Sequence, residues 1–123
     1  MRVIAAIVLL IILLLAGAHA DDTLAEIEYL LSSLGSSDCT FVRNGKRYSA
    51  HDAEAHLRMK YRRGKRYAST GEKFIERLAS ESSVSNKPYY MECDNEERVP
   101  SGDWLIQRLN EYRASSDDGR PRP

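Results

Sequence analysis

Two histidines, His51 and His56, lie beyond the first 20 residues and are the side chains best suited to proton transfer near neutral pH. Their spacing of five positions places them about 140° apart around a helix, so they cannot share a metal ion as in an HExxH motif. Hydrolysis would require His56 to activate a serine, and serines crowd residues 80–85. No G-x-S-x-G elbow accompanies them, and clustered serines usually form caps and turns. A hydrolase built on His56 and one of these serines is therefore the alternative interpretation.

His56 and Lys60 form a second candidate cluster, because residues four positions apart share one face of a helix. They lie beside the apolar Leu57 and Tyr61, near the expected boundary of the core. One interpretation is a polar cluster that binds an anionic group together with Tyr89. The other is a partly buried histidine bonded to a backbone carbonyl, beside a lysine whose ammonium group reaches solvent. The second arrangement is more common, and the sequence leaves both open.

Residues 43–66 are strongly basic, with nine lysines and arginines against two acidic residues. A surface of this kind attracts anionic partners. We expect any binding surface to lie on this helical stretch, where four cations, a histidine and an aromatic anchor are the candidate residues: His56, Arg58, Lys60, Tyr61, Arg62 and Arg63. The alternative is a solvated face, or one balanced by the four carboxylates of residues 92–97.

Residues 1–20 have the layout of a secretory signal peptide. A single positive charge precedes an apolar run over residues 3–15, and Ala18 and Ala20 fit the small-residue rule of signal peptidase. The apolar run is shorter than the ~20 residues that cross a bilayer. We therefore predict cleavage before Asp21, a periplasmic location and no transmembrane anchor in the processed chain.

Export narrows the partners available to a basic surface. Nucleic acid is not expected there. The anionic candidates are envelope components such as lipid head groups, lipopolysaccharide phosphates and wall polymers, or another periplasmic protein. Phosphate-loop, dinucleotide, EF-hand and zinc signatures are absent from the sequence, so no cofactor or metal is predicted.

Export also changes the chemistry expected of Cys39 and Cys93. An even number of cysteines in an exported protein favours a disulfide. Two free thiols or a redox pair are the alternatives, although the C-x-x-C spacing of redox pairs is absent. We predict a structural bridge between the two residues.

The apolar periodicity predicts about four short helices. Each opens on a residue that commonly caps helices, and glycines follow the first two. The predicted helices begin at Thr23, Ser49, Ser69 and Ser101, and the first two end before or at Gly35 and Gly64. Residues 114–123 are rich in Ser, Asp, Gly, Arg and Pro, a composition typical of a disordered tail.

Short β-prone segments carry both cysteines. Residues 39–42 and 47–48 flank the pair Asn44-Gly45, which is favoured in tight hairpin turns. Residues 89–93 and 98–99 have the same character. The predicted fold is mainly α, with about four short helices and a small antiparallel β element pinned by one disulfide, in a single domain over residues 21–113.

A series of short strings runs from Glu26 to Arg113: Glu26-Ile27-Glu28-x-Leu30-Leu31, Ser37-Asp38-Cys39-Thr40-Phe41, Arg43-Asn44-Gly45, His56-Leu57-x-x-Lys60-Tyr61, Phe74-Ile75, Ser82-Ser83-x-Ser85-x-x-Pro88-Tyr89, Cys93 and Trp104-Leu105. Together these strings resemble a family of small exported bacterial proteins known only as a domain of unknown function. The resemblance implies a Gram-negative source, export and periplasmic residence. It implies no activity, because none of the strings is a catalytic signature.

The residues and the resemblance together predict an exported protein that binds another envelope component through a basic helical face and is not an enzyme. A small envelope hydrolase using His56 is the alternative. A structural assembly subunit is a third interpretation, which would require an exposed apolar patch.

Overall fold

A computed structural model describes residues 22–117 of the chain. The predicted signal peptide at residues 1–20 and the last six residues of the predicted tail lie outside the described part. Within residues 22–117, no helix combines the length and the apolar character needed to cross a membrane.

Four helices and four short strands make up this part of the chain. Helix α1 covers residues 22–35. The other elements, in chain order, are β1 (Thr40–Arg43), β2 (Lys46–Tyr48), α2 (Ala50–Gly64) with a following 3-10 turn (Lys65–Tyr67), α3 (Gly71–Leu78), β3 (Tyr90–Glu92), β4 (Val99–Pro100) and α4 (Ser101–Asp117). The prediction of a mainly helical fold with a small antiparallel sheet is confirmed.

The four strands form one antiparallel sheet in the order β2-β1-β3-β4. The predicted hairpin turn joins β1 to β2, with Asn44 at φ 51° and Gly45 at φ 76°. Both values fall in the left-handed region, which Asn and Gly tolerate best. The turn places Arg43, the last residue of β1, beside the start of α2.

The predicted disulfide between Cys39 and Cys93 is present and closes a loop with a sequence separation of 54. Cys39 precedes β1 and Cys93 follows β3, and the adjacent residues Thr40 and Glu92 are direct partners across these two strands. The bridge therefore fixes the open end of the central strand pair. The thiol and redox alternatives do not apply to the structure, in which no described cysteine is free.

The core lies between the sheet and all four helices. It contains the apolar faces predicted for α3 and α4, including Phe74, Ile75, Trp104 and Leu105. The apolar residues that share one face of α1 are buried with one exception, because Leu24 is 52% exposed. These residues are Leu24, Ile27, Leu30, Leu31 and Leu34.

The caps of the helices differ from their predicted positions in three places. The Ser49 hydroxyl accepts from the backbone N–H of Asp52 at 3.1 Å, as predicted. Helix α3 is instead capped by Thr70, one residue after the predicted Ser69. Thr23 lies inside α1, which already includes the preceding residue. Ser101 is the first helical residue of α4, and its hydroxyl donates to the carbonyl of Ala79 at 2.7 Å.

Gly64 does not end α2 through a left-handed backbone, since its φ is −118°. A side chain at this position would place Cβ 2.9 Å from Cδ2 of Leu78, so glycine favours the close approach of α2 and α3. At the other end of the domain, residues 114–117 continue α4. The hydroxyls of Ser115 and Ser116 bond to carbonyls one turn earlier in that helix.

Candidate functional site

Arg58 and Tyr61, two of the predicted binding residues, have structural partners. Arg58 donates from Nε to Glu54 at 2.8 Å and with both terminal nitrogens to Glu28 of α1 at 2.8 and 2.9 Å. Tyr61 packs edge-on against the buried ring of Phe74, with centroids 5.8 Å apart. Both side chains therefore connect α2 to the body of the domain.

The remaining predicted residues lie elsewhere around α2. Arg62 and Arg63 are exposed. Arg63, Lys60 and His56 line a cavity of about 570 Å³ along the helix, whereas Arg62 does not. The predicted helical face is therefore divided between a structural side and a cavity.

This cavity lies between α2, the β1–β2 turn and the loop of residues 79–89; we refer to it as the α2 groove. Polar and apolar residues share its lining: Arg43, Asn44, His56, Met59, Lys60, Arg63, Gly64, Tyr67, Leu78, Ser82, Ser83, Val84 and Tyr89. Its volume falls within the range of about 300–1,000 Å³ that is usual for small-molecule sites.

Tyr89 forms the buried centre of the groove and is 1% exposed. Its ring packs against Phe41 of β1 at 4.9 Å between centroids. Its hydroxyl accepts from Nζ of Lys60 at 3.1 Å and lies 3.4 Å from Nε2 of His56. Nζ of Lys60 also donates to the carbonyl of Glu81 at 3.1 Å. The structure therefore brings His56, Lys60 and Tyr89 together in one polar cluster, while Lys60 also bonds a backbone carbonyl.

Arg43 completes the cluster from the end of β1. Nη1 lies 3.1 Å from each ring nitrogen of His56, and Nη2 donates to the hydroxyl of Tyr48 at 3.0 Å. Arginine can only donate, so at least one of these imidazole nitrogens is unprotonated. The partners of Arg43 are thus neutral groups.

The pKa values of the cluster reflect burial beside like charges. Burial, and then the charges of Arg43 and Lys60, lower the pKa of His56 to about 4. Burial also lowers the pKa of Lys60, with a further contribution from Arg43 and an opposing one from the charge of Glu81. The pKa of the Tyr89 hydroxyl is raised, mainly by burial. At neutral pH the cluster therefore combines two cations with a neutral imidazole and a neutral phenol.

No carboxylate forms an ion pair with Arg43, Lys60 or Arg63 within residues 22–117. The predicted balance between the basic stretch and residues 92–97 is confined to one ion pair, Arg47 with Glu92 at 3.0 Å. The α2 groove therefore holds positive charge that the described residues do not neutralise by ion pairing.

The loop of residues 79–89 supplies the opposite wall. The Ser82 hydroxyl accepts from the backbone N–H groups of Val84 and Ser85 at 3.3 Å each, and the hydroxyl of Ser85 donates to Oδ1 of Asn44 at 2.5 Å. These serines form turns and tie the loop to the hairpin. Within residues 22–117, His56 has hydrogen bonds to Arg43 and Tyr89 but none to a serine of residues 80–85.

Arg43 and His56 also line a second cavity, of about 200 Å³, with Tyr48 and Asp52. Sequence reasoning missed Arg43 and Ser82 as groove residues. One feature of the sequence could have indicated Arg43, namely its position directly before the Asn44-Gly45 turn. The side chain of Arg43 contacts His56 of α2. No local pattern could have indicated Ser82, because its position depends on where the loop packs.

Two comparisons with known proteins match this chain. The profile of a family of unknown function, DUF5329, matches residues 21–113. An uncharacterised protein, YfeK, from Salmonella typhimurium strain LT2 is 37% identical over 90 residues, which cover 72% of this chain and 75% of that protein. No solved structure matches the chain. The resemblance stated from the short strings is confirmed: the chain belongs to the DUF5329 family, a family of unknown function.

Proposed function

We propose that the protein is an exported binding module, not an enzyme, and that its α2 groove holds an anionic group of another envelope molecule. One observation carries the proposal: Arg43, Lys60 and Arg63 line a single groove and form no ion pair with a described carboxylate. The binding surface is thus a groove beside α2 rather than the whole basic face of that helix.

Electrostatics favours this function. Burial costs Lys60 part of its hydration, which is why its pKa is lowered. A carboxylate or phosphate oxygen in the groove would restore charge-assisted hydrogen bonds to Lys60 and Arg43. Arg63 is exposed at the groove and would add attraction at longer range.

Three observations support export. Residues 1–20 have the composition of a signal peptide, and the family match begins at residue 21. The disulfide between Cys39 and Cys93 fits an oxidising compartment. Mass spectrometry of the protein recovered from a periplasmic extract tests this part of the proposal, with Asp21 expected as the first residue. Recovery of a chain that retains residues 1–20 would contradict it.

Anion binding can be tested on the oxidised chain of residues 21–123 with inorganic phosphate as the probe. We expect phosphate to shift the backbone amide NMR signals of Arg43, Lys60 and Ser82 in a saturable manner. Lys60→Met should weaken binding by about tenfold, because it removes a charge-assisted hydrogen bond.

Arg62→Met is the matched control for Arg63→Met. Both residues are exposed neighbours on α2, but Arg63 lines the groove and Arg62 does not. Weaker phosphate binding by Arg63→Met alone supports the groove. Equal weakening by both substitutions would indicate a diffuse basic face and contradict the proposed site.

A further inference from the structure

The two ends of the α2 groove along α2 differ in their lining residues. Arg43 and His56 line one end. Gly64 lies eight residues further along α2, which corresponds to about 12 Å of helix. The glycine adjoins the side chains of Leu78 and Tyr67, since a Cβ built on it would lie 2.9 and 3.7 Å from their atoms. A ligand that fills the groove therefore meets the cluster of Arg43 and His56 at one end. At the other end it meets the side chains of Leu78 and Tyr67, beside the exposed Arg63.

The groove leaves two large hydrophobic side chains uncovered. Four such residues are exposed within residues 22–117, and two of them, Tyr67 at 44% and Val84 at 94%, line the groove. Single exposed hydrophobic residues are ordinary, but two that border one cavity both offer apolar surface to a ligand there. The groove thus has apolar surface for a ligand to bury.

The polar part contains a hydrogen-bond donor that the described residues do not use. Ser82 is 5% exposed and accepts two backbone N–H bonds at its hydroxyl oxygen. Its own hydroxyl proton has no acceptor within residues 22–117, although a buried donor normally has one. Nζ of Lys60 donates twice, to Tyr89 and to the carbonyl of Glu81, and so retains one of its three protons for a ligand.

We propose that the α2 groove binds a single-chain anionic amphiphile, such as an alkyl phosphate or a lipid with one acyl chain. Its anionic head would accept from Arg43, Lys60 and Ser82, and the adjoining part of its chain would lie along Leu78 and Tyr67. This inference rests on the proposed anion-binding function and specifies its ligand. One chain is favoured because a volume of about 570 Å³ suits a small ligand.

The test uses isothermal titration calorimetry of the oxidised chain 21–123 with butyl, hexyl and octyl phosphate below their micelle-forming concentrations. We expect each added methylene to lower Kd by about threefold, the order expected when a CH2 group is buried. Octyl glucoside, which has a neutral head, should bind about tenfold more weakly than octyl phosphate, because it lacks the charge-assisted hydrogen bonds.

Two substitutions separate the head from the chain. Lys60→Met should weaken the whole alkyl phosphate series by a common factor of about tenfold. Tyr67→Ser should reduce the dependence on chain length. Ile106→Ser is the matched control, because Ile106 is 38% exposed on α4 and does not line the groove.

The outcomes distinguish this inference from the proposed function. If phosphate binds and requires Lys60 but chain length has no effect, the proposal of an amphiphilic ligand is contradicted and the proposed anion site is supported. If octyl glucoside binds as tightly as octyl phosphate, the proposal that the ligand has an anionic head is contradicted. If neither inorganic phosphate nor any alkyl phosphate binds, both proposals fail.

Discussion

Two regions of the molecule use arginine in opposite ways. At the junction of the helices, Arg58 and Arg113 each bond two glutamates, through Nε to one carboxylate and through both terminal nitrogens to another. In the α2 groove, Arg43 and Lys60 bond only neutral groups. We call the first region the ion-paired junction.

This difference in bonding separates cations that stabilise the fold from cations that remain able to bind an anion. Arg58 joins α2 to α1, and Arg113 joins α4 to both α1 and α3, with every contact made to an opposite charge. Removing one of these arginines would leave carboxylates unpaired. In the groove the cations are held beside one another, which does not stabilise the fold and suits a site that receives an anion from outside.

The largest effect should come from the disulfide, which holds the strands that position the groove. For a loop with a sequence separation of 54, the chain-entropy estimate gives a loss of about 4 kcal/mol in the free energy of unfolding for Cys39→Ser with Cys93→Ser. Urea unfolding at pH 7 measures the loss. We also expect amide hydrogens of β1 and β3 to exchange faster than those of the ion-paired junction.

The reduced wild-type chain is the control for the cysteine substitutions, because it breaks the bridge without changing the side chains. A loss below about 1 kcal/mol in both forms would contradict a structural role for the bridge. Equal loss of protection in the strands and in the junction would show that the two regions unfold together.

A smaller effect is expected from Arg58→Met, which tests the junction directly. The substitution keeps an apolar stem but leaves Glu28 and the half-buried Glu54 without their guanidinium partner. We expect a loss of about 1.5 kcal/mol in the free energy of unfolding, since a bidentate network exceeds an isolated surface pair. Arg62→Met is the control and should change stability by less than about 0.5 kcal/mol.

Sequence reasoning recovered the parts of the fold that depend on local chemistry. The Asn44-Gly45 turn and the Ser49 cap are fixed by a few neighbouring residues. The apolar faces of α3 and α4 follow from helical spacing alone. Sequence reasoning also gave the end of α2 at Gly64, but it did not give the close approach of this glycine to Leu78, a residue of another helix.

The candidate site was only partly predictable, because its electrostatics depends on distant partners. Arg58 and Arg63 are indistinguishable as members of a basic stretch. Glu54, one turn before Arg58, gave a local hint of an ion pair, but Glu28 lies 30 positions away. The buried position of Tyr89 likewise depends on the pairing of β1 with β3. Sequence reasoning therefore grouped His56, Lys60 and Tyr89, but it placed the expected binding surface on a helical face that is partly structural.

An acid-dependent loss of stability should be smaller than the effect of Arg58→Met, because His56 is only half-buried. The folded protein lowers the pKa of His56 from 6.5 to about 4, so between these values the unfolded chain binds the proton more readily. The contribution of neutral His56 is therefore fully present above pH 6.5 and is lost as the pH falls towards 4.

His56→Gln tests this contribution, since glutamine can still accept from Arg43. We expect the substitution to flatten the fall in the free energy of unfolding between pH 6.5 and 5, measured by urea titration. His51→Gln is the matched control, because His51 lies exposed on the same helix. The same flattening in both variants would contradict the assignment to the groove.

The smallest effect on stability should come from Lys60→Met, and it is the most discriminating test of the comparison. The lowered pKa of Lys60 means that folding disfavours its charged form, so removal of the charge relieves a cost at neutral pH. The lost hydrogen bonds to Tyr89 and to the Glu81 carbonyl act in the opposite direction. We therefore expect the free energy of unfolding to change by less than about 0.5 kcal/mol, together with weaker phosphate binding. A loss as large as that of Arg58→Met would place Lys60 among the structural cations, and the groove would then resemble the ion-paired junction.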